Sequence, residues 1–174
     1  MTGLIRVHRI ALDPNNVQRT ALARAAGTAR FAWNWALATW QAQDRAGQRP
    51  NEKALRRELN ARKRAEWPWM LASPKAAPQQ AIKDLGKAWR RFFTGHSGKP
   101  RLKTKGVNDS FRADNGPGTA DVAGKYVHLP KIGRVKMREH LRFAGRIKSV
   151  VVSRDADRWF AAISVEVEPG HVDA

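Results

Sequence analysis

Lys99, Arg101, Lys103 and Lys105 alternate with other residues along Gly98-Lys-Pro-Arg-Leu-Lys-Thr-Lys-Gly106. The chemistry such a comb suits is phosphate binding. The stretch is too rich in Gly and Pro for a helix. An extended path would place all four cations on one side, about 7 Å apart, near the phosphate spacing of a nucleic-acid strand. Arg112, Lys131, Arg134, Lys136 and Arg138 extend the basic surface over the residues that follow. Upstream, Lys75 and Gln79 stand at i, i+4 near a predicted helix start, with Gln80 beside Gln79. A helix N-terminus favours phosphate, Gln pairs bidentately with adenine, and Lys reaches guanine or phosphate. An ordinary solvated first turn competes with that reading.

Catalytic groups are sparse by comparison. Two-metal phosphodiester cleavage needs carboxylates converging on ions roughly 4 Å apart. The one close acidic pair near a strand end is Asp155 and Asp157, within Arg154-Asp-Ala-Asp-Arg158, where Asx turn chemistry accounts for both. Asp173 stands at the chain end with nothing downstream to position it. His8, His96, His128, His140 and His171 show no ligand-like spacing. No Ser-His-Asp arrangement and no glycine-rich phosphate loop in a strand-to-helix setting occurs. Cysteine is absent, which removes disulfides, Cys-type zinc sites and thiol nucleophiles together. The reading is a chain without a catalytic site, metal or cofactor of its own.

Charge points the same way. The 174 residues carry 33 Lys+Arg against 15 Asp+Glu, a formal net charge of +18 and a pI near 11.4. A folded domain this basic repels itself unless an extended anion, usually nucleic acid, offsets it. Hydrophobic residues make up 42%, with seven Trp and six Phe, enough for a real core. No apolar run approaches the roughly 20 residues of a membrane helix, and no signal-peptide core is seen. A cytoplasmic protein without a membrane partner is expected.

The elements that position the basic residues can be read from periodicity and punctuation. Residues 2–12 read as a strand, with Ile5, Val7 and Ala11 alternating against Arg6, His8 and Ile10. Asp13 as cap and Pro14 at the first position begin a helix to about residue 26, and Gly27 marks a break. Thr28 caps a second helix to about 46, Asn51 a third to about 66, and Ser73 a fourth over about 74–94. Phe31, Trp35, Trp89 and Phe92 repeat at helical spacing and read as core, while Trp33 or Asn34 turns towards ligand or a lobe interface. Strands follow around 109–113, 119–123, 125–129, 134–138, 146–154 and 158–167, the last two as a hairpin. The fold class is α+β: a small, wedge-like β-barrel of residues 1–12 and 98–170, with a four-helix recognition lobe of residues 13–97 inserted after the first strand.

Five colinear stretches resemble the TnpB/OrfB family of insertion-sequence proteins. Arg30-Phe-Ala-Trp-Asn-Trp-Ala-Leu37 is similar to the family's Arg-Phe-(Val)-(Tyr)-Asn-Trp-Ala-Leu helix. Gln79-Gln-Ala-Ile-Lys-Asp-Leu-Gly-Lys-Ala-Trp-Arg-Arg-Phe-Phe93 resembles its Gln-Gln-Ala-Leu-(Arg)-Asp-Leu-x-(Lys)-Ala-(Phe)-x-x-Phe-Phe helix. The basic stretch with Asp109-Ser-Phe-Arg112, then Leu129-Pro-Lys-Ile-Gly-Arg-Val-Lys136, then Ile147 to Trp159, complete the run. Members are RNA-guided DNA endonucleases related to type V CRISPR effectors. In them the last hairpin strand is soon followed by Val-Gly-(Ile/Val)-Asp-Leu-Gly, which supplies the first metal-binding Asp of a ribonuclease-H-like nuclease domain. Here the sequence reads Val165-Glu-Val-Glu-Pro-Gly-His-Val-Asp-Ala174 instead.

The resemblance therefore implies a recognition half whose nuclease domain, zinc ribbon and magnesium site are absent from this chain. Its implied partners are DNA and a structured guide RNA, and Lys75, Gln79 and Gln80 inherit a role in reading a short DNA motif beside the target. Two alternatives stand. One is a DNA-only helix-turn-helix repressor built on 14–26 and 28–46; the other is a fragment whose endonuclease half is encoded downstream.

Overall fold

The computed structural model describes residues 3–116 and 118–168. Its first element, β1 (Leu4–Asp13), belongs to both halves of one seven-stranded sheet. Most of its length pairs antiparallel with β7 (Arg158–Val167), in the register Ile10 opposite Ala161. Its last two residues pair with β5 (Gly133–Met137), Leu12 opposite Met137. The rest are β2 (Ser110–Arg112), β3 (Asp121–Ala123), β4 (Tyr126–Leu129) and β6 (Arg146–Asp155), in the order β2-β6-β7-β1-β5-β4-β3.

The α+β class holds, and the expected barrel is corrected to an open sheet. Its outermost members are β2 and β3, three residues each, and they do not pair with one another among the described residues. The hairpin of β6 and β7 turns at Ala156–Asp157, where Ala156 takes a positive φ of 55°.

Period-two alternation fills the inner face with Trp159, Ala161, Ile163, Val165 and Val167 of β7, Val150 and Val152 of β6, and Val135 and Met137 of β5. On β1 the phase is opposite to the expected one. His8, Ile10 and Leu12 are buried, while Ile5 and Val7 are exposed. Isolated apolar residues at the start of a strand are a weak guide to its buried side; the register with β7 decides it.

The four expected helices are three, plus a short 3₁₀ turn. The stretches 14–26 and 28–46 form a single helix, α1 (Asn16–Arg45). Gly27 costs about 1 kcal/mol inside a helix, and the alanines on either side outweigh it. Thr28, expected as a cap, instead bonds back to the Arg24 carbonyl at 3.0 Å. The cap is Asn15 rather than Asp13: its side chain accepts from the Gln18 amide at 2.8 Å, and Gln18 Oε1 accepts from the Asn15 amide at 3.0 Å. α2 (Glu52–Glu66) starts at the expected Asn51, and Pro68–Ala72 follows as the 3₁₀ turn. α3 (Ala76–Phe93) has Lys75 at its cap, because the Ser73 hydroxyl faces Thr28 Oγ1 at 3.2 Å instead.

An alanine-rich stripe of α1 packs on Ala77, Ala81, Ile82 and Leu85 of α3, the small side chains letting the two backbones approach. Gly86 serves the same end on the other flank, where a Cβ would stand 2.9 Å from Glu52 Cγ of α2. Both α1 and α3 also contact β2, so the helices rest on the β2 end of the sheet.

Candidate nucleic-acid interface

The basic connector is seated on α1. Trp33, 8% exposed, donates its indole N–H to the Arg101 carbonyl at 2.8 Å. Asn34 grips the next turn of the connector from both sides: Nδ2 donates to the Lys103 carbonyl at 3.0 Å and Oδ1 accepts from the Lys103 amide at 2.7 Å. Both neighbours thus serve the lobe interface.

Two of the four cations rest on aromatic rings. The Lys103 ammonium lies 4.2 Å from the centroid of the Trp33 ring, and the Lys99 ammonium 5.8 Å from that of Phe92. Lys103 is held below the ordinary lysine pKa because its surroundings shed water from the ammonium, against a weaker upward pull from Asp84. Arg101 and Lys105, exposed, carry no ion pair to a carboxylate among the described residues.

Two buried carboxylates then tie the connector and β2 to the rest of the molecule. Asp109 sits between Arg30 of α1, at 3.1 Å, and Arg154 of β6, and it also accepts the Gly106 amide at 3.2 Å. Asp114, 2% exposed, takes Arg112 in a fork, Nε to Oδ1 at 3.0 Å and Nη2 to Oδ2 at 3.1 Å, and accepts the Val150 amide at 2.8 Å. Burial would raise the Asp114 pKa, but Arg112 and the amides of Val150 and Gly116 outweigh it and hold the carboxyl below its usual range. The remaining Arg112 nitrogen, Nη1, donates to Gln80 Oε1 at 3.2 Å, and Gln80 Nε2 donates to Asp84 at 2.9 Å. Arg112 and Gln80 thus make their contacts inside the protein, joining α3 to β2.

Gln79, half-buried like Gln80, stands beside them with fewer ties. Its amide meets Asn60 Oδ1 at only 3.4 Å, and Asn60 also accepts from Lys63 at 3.2 Å. Lys63 is held below the ordinary lysine pKa by burial, then by repulsion from Lys75 and Arg64. Lys75, Lys63 and Gln79 therefore gather at the start of α3. A polar hollow of about 220 Å³ opens there, lined by Ala76, Gln79, Gln80, Lys83, Asn115 and Gly116 among others.

The strand cations form a separate patch. Arg134 and Lys136 alternate outward on β5, opposite His128 and Tyr126 of β4, with the Arg134 guanidinium 4.8 Å from the Tyr126 centroid. Arg138, just beyond, reaches Asp13 at 3.7 Å. Lys131 occupies the β4–β5 turn with a positive φ of 68°. Four strand steps separate β5, which carries this patch, from β2, which follows the connector. Reading single residues missed Asp109 and Asp114, and also Gln18, whose amide donates to the Arg134 carbonyl at 2.6 Å and ties α1 to β5. The available signal was two acids standing alone amid a basic stretch.

The carboxylates of the described residues do not fit a two-metal site. Asp109 and Asp114 are enclosed by guanidinia, Asp155 is the last residue of β6 with Arg9 3.9 Å away, and Asp157 is in the hairpin turn. No group of three or more His, Asp or Glu suited to a metal ion occurs among the described residues. No helix among them is long and apolar enough to cross a membrane. Asp173 and His171 lie outside the described residues.

Residues 1–48 match a family model for the helix-turn-helix domain of OrfB from IS605. In this chain that span holds β1 and the unbroken α1, with Gly27 inside the helix. Along 166 residues the chain is 31% identical to "Putative RNA-guided DNA endonuclease InsQ" of Escherichia coli K12, covering 94% of this chain and 41% of that protein. It is 24% identical over 195 residues to "Putative RNA-guided DNA endonuclease MT2953" of Mycobacterium tuberculosis CDC 1551, covering 94% and 42%. The same figures hold for "Putative RNA-guided DNA endonuclease Rv2885c" of M. tuberculosis H37Rv. The chain thus spans about two-fifths of the length of the curated relatives it matches. The helix-turn-helix match and these relatives, which cover nearly all of the chain, make it similar to an N-terminal TnpB/OrfB fragment.

Proposed function

We propose that this chain is the nucleic-acid-recognition part of a TnpB-like system, holding a structured guide RNA and the DNA duplex beside the target. The observation that carries the reading is the seated connector. Cations left without carboxylate partners are presented on a backbone that Trp33 and Asn34 hold in place. A solvated basic loop of no consequence would need no such anchoring. In guided recognition, base pairing reads most of the target, while protein reads backbone shape and a short motif. The Lys75–Gln79 corner suits the motif, and the connector and the Arg134–Lys136 patch suit phosphates. These cations are spread over the start of α3, the connector and β5, a distribution that fits an extended polyanion rather than a small ligand.

On this reading residues 1–174 do no cleavage. The reading assigns magnesium-dependent cleavage to a nuclease portion outside this chain, and it is supported by the lack of any group of three or more possible metal ligands among the described residues. A DNA-only repressor is the weaker reading, because α1 runs through Gly27 and turns Leu22, Ala26, Trp33 and Leu37 into the core. The test is to purify the chain free of added nuclease and sequence any RNA that accompanies it. A defined transposon-end RNA supports guide binding. Tight duplex binding with no RNA overturns it in favour of the repressor.

A further inference from the structure

Trp40, Trp89 and Phe93 form a ladder of near-parallel rings, with buried Trp89 between half-buried Trp40 and exposed Phe93. Trp40 and Trp89 stack with centroids 5.6 Å apart and planes 8° apart; Trp89 and Phe93 follow at 5.6 Å and 21°. Trp89 is 6% exposed and Phe93 is 68% exposed. Phe92 meets Trp89 edge-on at 5.8 Å and packs against the core, so core filling at the end of α3 is already done by Phe92. Leaving most of Phe93 in water forgoes the stabilisation that burying an aromatic ring would bring. The Trp89 indole N–H is also buried with no acceptor among the described residues. Stacking geometry, not polar satisfaction, sets that ring's orientation.

Cations stand beside the outer end of the ladder. Arg45 ends α1, Arg90 lies one turn before Phe93 on α3, and the Lys99 ammonium stands over Phe92. None of the three pairs with a carboxylate among the described residues. Beside Phe93 opens a hollow of about 370 Å³, with Trp40, Arg45, Lys99 and one acid, Asp44, in its wall. A duplex keeps its base faces stacked inside; only an unpaired base offers a π face to such a ring.

We propose that the outward face of Phe93 is a stacking platform for one unpaired base of a single-stranded nucleic acid, with Arg45, Arg90 and Lys99 on the flanking phosphates. The proposal rests on the nucleic-acid reading above and adds a ligand form and a site to it. An apolar protein partner does not suit an exposed ring bordered by three uncompensated cations.

The test uses the full chain and fluorescence anisotropy with labelled oligo(dT), oligo(rU) and a duplex of equal length. Phe93→Ala weakens single-strand binding about 5- to 150-fold, the range of one base–aromatic stack, and leaves duplex affinity and the salt slope unchanged. Phe93→Trp keeps or tightens it, and Phe93→Leu behaves like Phe93→Ala. A larger loss on oligo(rU) identifies the strand as RNA, and on oligo(dT) as DNA. Equal binding by Phe93→Ala and the native chain overturns the platform, as does full affinity in Phe93→Leu. Absence of binding to all three probes by the native chain instead removes the nucleic-acid reading itself. Melting temperatures unchanged across the variants exclude misfolding at this exposed position.

Discussion

Asn34 and Lys103, 69 residues apart, exchange two hydrogen bonds that hold the connector's backbone against the middle of α1. An asparagine side chain here does what a neighbouring strand would do, giving the connector a register without a sheet. Asn34→Ala is expected to cost about 1–3 kcal/mol in urea denaturation and to speed tryptic cleavage at Arg101, Lys103 and Lys105. Asn34→Asp keeps the acceptor for the Lys103 amide and loses the donor, so its cleavage rate should fall between the two.

Asp109 balances two arginines from different elements, Arg30 and Arg154. Removing it leaves both cations half-buried without a counter-charge. Asp109→Ala should destabilise by about 3 kcal/mol, the low end for breaking a buried pair because both guanidinia keep some water. Thermal unfolding reads this as a drop of about 6–12 °C for a chain of this size.

Asp114 gives acid sensitivity a specific origin. Folding lowers its pKa, so its stabilisation is complete above the unfolded carboxyl value of about 3.9 and is lost as pH falls below it. Asp114→Asn should lower stability at neutral pH and flatten the decline below about pH 4. Denaturation midpoints of the two proteins across that window check it; parallel acid limbs would contradict the assignment.

At the start of α3 Lys75 is exposed and half-buried Gln79 makes only a long contact with Asn60, whereas Gln80 is committed to Arg112 and Asp84. The double substitution Lys75→Ala with Gln79→Ala should relax preference among DNA motifs, by about 1–3 kcal/mol per base read, with only a modest loss of total affinity. Gln80→Ala should act through stability instead. Unchanged selectivity of the double variant in a competition assay would remove the motif-reading role.

Local rules carried much of this fold. The hairpin of β6 and β7 and the start of α2 at Asn51 follow from alternation and capping. Gly27 misled because a single glycine breaks a helix only when its neighbours also favour a turn, and here alanines surround it. The buried side of β1 depended on its partner β7, 150 residues away, which no local window contains. For the site, the types of residue were legible and their availability was not. Arg112 and Lys99 look alike in sequence, yet Arg112 is forked onto Asp114 while Lys99 stands near Phe92 with its charge uncompensated.

The most direct measurement is the affinity of the full chain for nucleic acid as a function of salt, repeated with Arg101 and Lys105 each replaced by Gln. The account predicts a steep linear fall of log affinity with log salt, and a slope shallower by about 1 for each substitution. An affinity indifferent to salt, or slopes unmoved by both changes, would contradict it.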